Sequence, residues 1–75
     1  MAREAQNPEE AVDLWSAVRR LPRRQQEAVV LYYRMGMPVQ EIAQILACKE
    51  GTVRTHLTRA REALRVMLEG VPDGD

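Results

Sequence analysis

One group of residues in the second half of the chain is suited to hydrogen bonding with DNA bases: Arg54, Thr55, Thr58 and Arg59. Arginine pairs with the O6 and N7 atoms of guanine through two parallel hydrogen bonds, and threonine contacts a thymine methyl group or a phosphate. Just before this group, Gly51 and Thr52 open the same segment. The free N–H groups at a helix start attract anions, and a glycine there lets a phosphate approach the backbone. The pattern predicts a surface that binds DNA.

The apolar residues of the same segment indicate how that surface is positioned. Four aliphatic residues recur at steps of three and four, which places them on one stripe of an α-helix: Val53, Leu57, Ala60 and Leu64. Because this stripe must face a core, we expect the arginines and threonines to point outwards near the helix start.

Residues 41–65 as a whole predict a short helix, a tight turn and a longer helix. Ala43 stands where the two helices are expected to cross most closely. Its small side chain permits that approach, and a larger one would push the helices apart. This order of elements is typical of a helix-turn-helix, whose second helix enters the major groove of DNA.

Further helices are predicted before this motif. Asn7 as N-cap, Pro8 at the first helical position and Glu10 three residues after the cap indicate a first helix that ends near Arg20. Its apolar face comprises Ala11, Leu14, Trp15 and Val18. A proline also opens the next helix, expected over residues 22–35 and stopped by Gly36. Its inward residues are predicted to be Ala28, Leu31, Tyr32 and Met35.

The third and fourth helices complete the predicted fold. The third begins after Pro38, ends near Ala47 and is expected to bury four residues: Ile42, Ala43, Ile45 and Leu46. The fourth is expected over residues 50–68. The sequence therefore predicts an all-α, four-helix domain with a helix-turn-helix over residues 7–69. Residues 1–6 are expected to be disordered or a linker, and residues 70–75 a disordered tail.

The composition argues against several kinds of site. The chain has 75 residues with one cysteine and one histidine, so it can form no internal disulfide. Cys48 with His56 is too little for a metal site or a nucleophilic dyad, and Cys48 is expected to be a small buried apolar residue. The chain contains neither a basic leader with an apolar core nor a membrane-spanning apolar run. We expect a cytoplasmic protein that is not an enzyme, with no cofactor, metal or small-molecule substrate.

The formal net charge of zero conceals an uneven distribution. Residues 19–34 carry +4 and residues 49–65 carry +3, whereas residues 1–18, 35–48 and 66–75 carry −3, −1 and −3. Nonspecific affinity for DNA grows with the number of phosphates that are neutralised. A domain with this distribution should bind DNA weakly on its own and lose affinity steeply as salt rises.

The run over residues 21–65 resembles region 4 of bacterial sigma factors, in particular the extracytoplasmic-function group. The motifs that carry the resemblance are Leu21-Pro22, Gly36, Glu41-Ile42-Ala43, Gly51-Thr52-Val53-Arg54 and the run from Arg59 to Arg65. The resemblance covers about residues 8–68. It implies a domain that binds the minus-35 element of double-stranded promoter DNA while docked on the β-subunit flap of RNA polymerase, with an anti-sigma factor as a further candidate partner.

The resemblance also implies roles for individual residues. The family's base-reading positions fall on Arg54, Thr55, His56, Thr58 and Arg59, and its phosphate-contacting positions on Lys49 and Gly51. Since the polymerase-binding and promoter-melting domain of a sigma factor has no counterpart here, we expect the chain to be the C-terminal part of a longer protein.

Some residues depart from the family pattern. Ala47 occupies a turn position often held by glycine, and a positive φ there would cost about 1 kcal/mol. Pro38 and Lys49 stand where a serine or threonine cap is usual. His56 stands where arginine is common, and half-buried packing there competes with DNA contact.

Two other functions are compatible with the pattern. A response-regulator type activator has an output domain with a similar run, although the Leu21-Pro22 opening and the run from Arg59 to Arg65 argue against it. A protein-interaction module would bind an anti-sigma factor or the polymerase flap through the Trp15 face, with little DNA contact. Arg61, Glu62 and Arg65 are interpreted as a solvated helix face.

Overall fold

The computed structural model describes residues 14–69, and within that range the regular segments are all helical. They are α1 (Leu14–Val18), α2 (Arg23–Val29), a π-helical turn (Val30–Arg34), α3 (Val39–Leu46) and α4 (Glu50–Glu69). The predicted all-α, four-helix class is therefore confirmed. The predicted start of the first helix at Asn7 and Pro8, Ala11 on its apolar face, and the terminal segments 1–6 and 70–75 lie outside the described residues.

The core is aliphatic and lies where α4 packs against α1, α2 and α3. It comprises Ala17, Val18, Leu21, Ala28, Val29, Ile42, Ala43, Leu46, Val53, Leu57, Ala60 and Leu64. The predicted stripe of α4 is confirmed, since Val53 and Ala60 are fully buried and Leu57 and Leu64 nearly so. Burial of this stripe fixes the rotation of α4 about its own axis.

The segment after Val29 departs from the predicted continuous α-helix. The N–H of Met35 bonds to the carbonyl of Val30 at 3.0 Å, a spacing of five residues that forms a π-helical turn. Because the wider turn breaks the 3.6-residue period, the predictions that Tyr32 and Met35 face inwards are wrong. Tyr32 is 38% exposed and Met35 is 63% exposed, while Leu31 is half-buried. Gly36, with φ +70°, ends the segment as predicted.

Helix α3 buries Ile42, Ala43 and Leu46, but the prediction that Ile45 is buried is wrong, because Ile45 is 57% exposed. The helix packs on one side only, and Ile45 lies about 100° around the axis from the centre of that side. Ala43 is buried in the core, as predicted for the third helix.

A left-handed residue makes the turn between α3 and α4. Ala47 has φ 57° and ψ 49°, so the cost considered for a positive φ at this position applies. The N–H of Cys48 bonds to the carbonyl of Ala43 at 2.9 Å, and the N–H of Ala47 bonds to that of Gln44 at 3.3 Å. This pair of bonds is a Schellman motif, which satisfies the last carbonyls of α3. Pro38 makes no side-chain cap, as its lack of a hydroxyl predicted.

Two residues expected in the core lie at its edge. Trp15 and Cys48 are half-buried and pack against the buried cluster. The guanidinium of Arg34 lies 5.2 Å from the centre of the Trp15 ring, within cation–π distance. No helix within residues 14–69 is long and apolar enough to cross a membrane.

Candidate nucleic-acid interface

The start of α4 presents the predicted DNA-contacting residues on the side away from the core. Seven of them are exposed to solvent: Lys49, Gly51, Thr52, Arg54, Thr55, Thr58 and Arg59. His56 is half-buried at the border of the apolar stripe, as its position on the helix predicted. We call this surface the α4 face.

The two arginines of the α4 face differ in their contacts. The guanidinium of Arg54 lies 3.4 Å from a carboxylate oxygen of Glu50, with side chains 62% and 51% exposed. Exposed ion pairs contribute roughly 0–1 kcal/mol, so Arg54 can exchange this partner for another acceptor. Arg59 forms no hydrogen bond or ion pair with any other residue in the described range 14–69.

Gly51 and Thr55 form a pair one turn apart. The Thr55 hydroxyl donates to the Gly51 carbonyl at 3.0 Å, which leaves its oxygen as an acceptor and its methyl group for apolar contact. A Cβ atom on Gly51 would meet no atom within 4 Å, and the backbone there is not left-handed. Neither packing nor conformation of the described residues therefore requires glycine at this position.

An open depression lies beside the turn, between α3 and the start of α4. Two glutamines of α3, Gln40 and Gln44, line it together with Lys49, Glu50 and Thr52. Both glutamines are exposed, and their amides can donate hydrogen bonds to phosphate oxygens. The sequence interpretation missed them, although their spacing of four on the polar side of α3 was a usable signal.

A second depression lies on the other side of α4, against the π-helical turn. It is lined by Tyr32, Val39, Arg54, Leu57, Thr58 and Arg61. Nearby, the guanidinium of Arg61 donates a hydrogen bond of 2.9 Å to the hydroxyl of Tyr33. Arg61, interpreted from the sequence as part of a solvated face, thus borders the same surface as Arg54.

The charges on the two halves of α4 are arranged differently. Arg65 pairs with Glu62 and, at 3.2 Å, with Glu69, and this hydrogen bonding lowers the pKa of Glu62 and raises that of Arg65. Two carboxylates therefore compensate the charge of Arg65. In the first half of α4, Arg54 has the single partner Glu50 at 3.4 Å, and Arg59 has no carboxylate partner among residues 14–69.

An apolar groove separates α1 from the second half of α4. It has a volume of about 360 Å³ and is lined by Leu14, Trp15, Val29, Tyr33, Arg61, Leu64, Arg65 and Leu68. Leu14, Tyr33 and Leu68 are each more than 40% exposed. We call this surface the α1–α4 groove.

Comparison with known families agrees with this geometry. The family described as "Sigma-70, region 4" matches residues 11–64, which include α1 to α3 and most of α4. The chain belongs to the sigma-70 region 4 family. The predicted resemblance is confirmed, and region 4 is a helix-turn-helix part of RNA polymerase sigma factors, which are transcription initiation factors and not a known class of enzyme.

Individual relatives carry the same assignment. The chain is 38% identical over 55 residues to a probable RNA polymerase sigma factor, RfaY, of Xanthomonas campestris pv. campestris, which covers 73% of this chain and 13% of that protein. It is 31% identical over 71 residues to a probable RNA polymerase sigma-C factor of Mycobacterium bovis and to the ECF RNA polymerase sigma factor SigC of Mycobacterium tuberculosis. These two matches cover 95% of this chain and 37% of each relative. No solved structure matches this region 4 domain significantly.

Proposed function

We propose that this region 4 domain binds the minus-35 element of double-stranded promoter DNA through the α4 face and so gives promoter specificity to an RNA polymerase. The observation that carries the proposal is the rotation of α4. Burial of Val53 and Leu57 leaves Arg54 and Arg59 exposed at the start of the helix, where a docked recognition helix meets base edges. The function implies a cytoplasmic location and no enzymatic reaction, cofactor or small-molecule substrate.

In this proposal the arginines and threonines of the α4 face contact the DNA bases. Arg54 and Arg59 each pair with a guanine through two hydrogen bonds, and loss of either should cost roughly 1–3 kcal/mol of base discrimination. Thr55 and Thr58 contact a thymine methyl group or a phosphate. His56 packs at the edge of the same surface and adds a contact to the DNA.

Phosphate contacts are assigned to the beginning of α4. The ammonium group of Lys49 supplies charge, Gly51 supplies a backbone N–H group at the helix start, and Thr52 supplies its exposed hydroxyl. The carbonyl of Lys49 accepts hydrogen bonds from the N–H groups of Thr52 and Val53 at 3.0 and 3.1 Å, so the first turn is already formed. These contacts hold the helix in register, whereas the base contacts select the sequence.

The domain acts within a larger assembly in this proposal. The chain spans 13% to 37% of the length of the relatives named above, and its own net charge is zero. Affinity for DNA that rests on a few cations should be weak at physiological salt. Docking on the β-subunit flap of RNA polymerase supplies the missing affinity. We further propose residues 7–69 as the extent of the domain.

A protein-interaction function remains the second candidate, because the α1–α4 groove exposes apolar surface beside Trp15. The polymerase flap or an anti-sigma factor would bind there. Substitution of Trp15 should then weaken partner binding while leaving promoter choice unchanged, and substitution of Arg54 or Arg59 should do the reverse.

The test is selection of a preferred sequence from a randomised duplex pool by the 75-residue chain at low salt, where its affinity for DNA is highest, followed by fluorescence titration of the selected duplex and a shuffled duplex. We expect a preference that Arg54→Ala and Arg59→Ala each reduce by roughly 5- to 150-fold, which corresponds to 1–3 kcal/mol. Arg20→Ala is the matched control, since Arg20 is exposed in the turn between α1 and α2. Failure to enrich any sequence, or a preference that survives both α4 substitutions, would contradict the proposal.

A further inference from the structure

We propose that Arg61 is an additional phosphate-contacting residue of the α4 face, and that the hydroxyl of Tyr33 is the group that positions it. The inference rests on the proposed function, because it assigns one more contact to the same DNA complex. Its basis is a side-chain hydrogen bond between residues 28 positions apart in sequence.

The first step concerns the position of Arg61 around the helix. Arg54, Thr58 and Arg61 follow one another at steps of four and three, so they form a single row along α4. All three line the depression that Tyr32 also lines, and Arg61 borders the α1–α4 groove as well. Arg61 therefore continues the row of Arg54 towards the C-terminal end of the helix.

The second step concerns its position along the helix. Seven residues separate Arg54 from Arg61, which amounts to about 10 Å at a rise of 1.5 Å per residue. The major groove of B-DNA is about 8.5 Å deep. When α4 enters the groove by its start, a side chain about 10 Å behind the leading residue lies nearer the level of the sugar–phosphate backbone than that of the base edges. Arg61 is therefore placed for a phosphate and not for a base.

The third step concerns charge and order. Tyr33 is a neutral hydrogen-bond acceptor, and Arg61 has no carboxylate partner within the described part of the chain, so its positive charge is uncompensated. Arg65, one turn further on, pairs with Glu62 and Glu69. The Tyr33 ring is itself held edge-on against Tyr32, with ring centres 4.9 Å apart. A guanidinium that is ordered before DNA arrives loses less rotamer freedom on binding.

A purely structural role for the bond makes a different prediction. If Arg61 only fastens the π-helical turn to α4, its loss lowers stability and leaves the salt dependence of DNA binding unchanged. Each phosphate contact contributes about 0.9 to the slope of log K against log salt concentration. The salt slope therefore separates the two roles.

The experiment measures the dissociation constants of the 75-residue chain for two fluorescein-labelled duplexes, the selected sequence and its shuffled version, over a series of NaCl concentrations. Arg61→Ala should weaken both duplexes by the same factor and reduce the salt slope by about 0.9. Tyr33→Phe, which removes only the hydroxyl, should weaken both by a smaller factor. Tyr33→Phe should not change DNA affinity any further when it is combined with Arg61→Ala. Arg61→Gln provides a second variant that keeps the helix and most of the side-chain volume.

Arg65→Ala is the matched control, and it should change the slope less than Arg61→Ala does. An unchanged slope in both Arg61 variants, with helical circular dichroism intact, would overturn the inference. So would an equal effect of Tyr33→Phe with and without Arg61. Failure of the proposed function gives a different result from failure of this inference. The chain would then enrich no DNA sequence, or it would keep its sequence preference after Arg54→Ala.

Discussion

The carboxylate of Glu50 lies 3.4 Å from the guanidinium of Arg54, one turn apart at the start of α4. An acid in the first turn stabilises a helix by roughly 0.3–1 kcal/mol through the helix dipole. The same acid lies where phosphates are expected in the proposed complex. Glu50 therefore favours the fold of the free domain and opposes the approach of DNA.

Glu50→Gln should consequently raise the affinity for DNA and lower stability. The substitution frees Arg54 and removes one negative charge from the α4 face, so we expect roughly a twofold to fivefold gain in affinity at low salt for the selected and shuffled duplexes alike. The free energy of unfolding should fall by roughly 0.3–1 kcal/mol. Fluorescence titration and urea denaturation measure the two effects.

Glu27→Gln is the control for this prediction, because Glu27 pairs with Arg23 and Arg24 on α2 and not with residues of the α4 face. It should lower stability without the gain for DNA. A loss of affinity in Glu50→Gln would mean that the carboxylate orients Arg54 for its base, and the assignment of Glu50 as an opposing charge would be wrong.

Ala47→Gly should stabilise the domain. Ala47 adopts a left-handed conformation that costs a residue with a Cβ atom about 1 kcal/mol, and its side chain is exposed, so little packing is lost. We expect a gain of roughly 0.5–1 kcal/mol, seen as a rise of a few degrees in Tm. Gln44→Gly on the exposed side of α3 should do the opposite, since it places glycine inside a helix. Equal effects of the two substitutions would contradict the argument.

How far the sequence predicts this fold depends on the length of each helix. The stripe of α4 recurs over enough turns for its period to be unambiguous, and every predicted core residue of that helix is buried. Helix α3 has only eight residues, and its pattern does not reveal that one side alone is covered. For that reason the sequence pattern predicts a buried Ile45, whereas the side chain is exposed.

The π-helical turn accounts for the other errors. A 3.6-residue period extended through Val30–Arg34 predicts inward positions for Tyr32 and Met35, but the hydrogen bonds there have a spacing of five. No residue type in this segment predicts a π-helical turn. The bond between Tyr33 and Arg61 could not be predicted either, because it depends on the register of the π-helical turn against a helix 28 residues away.

Acid should weaken the helix-surface ion pairs. Hydrogen bonding to Arg23, with the charge of Arg24, lowers the pKa of Glu27 in the folded chain below its ordinary 4.5, and Arg65 does the same for Glu62. A lowered folded-state pKa contributes stability that is complete above about pH 4.5 and is lost as the pH falls through the folded-state value. Thermal unfolding followed between pH 7 and pH 3 should show Tm falling below about pH 5. The fall should be shallower in the double variant Glu27→Gln with Glu62→Gln, and an identical profile would sink this explanation.

Gly51→Ala should separate folding from DNA binding. A Cβ atom at Gly51 meets no protein atom within 4 Å, and alanine favours a helix over glycine by up to about 1 kcal/mol, so the free energy of unfolding should rise or stay unchanged. In the proposed complex a phosphate approaches the backbone at this point, and a methyl group would hold it away from the N–H groups. We therefore expect affinity for both the selected and the shuffled duplex to fall by roughly tenfold, the loss of about one charge-assisted hydrogen bond.

Thr58→Ala, an exposed position two turns along α4, is the matched control, because it should change sequence preference more than nonspecific affinity. If Gly51→Ala folds more stably and binds DNA as tightly as the parent chain, the phosphate contact at the start of α4 is absent.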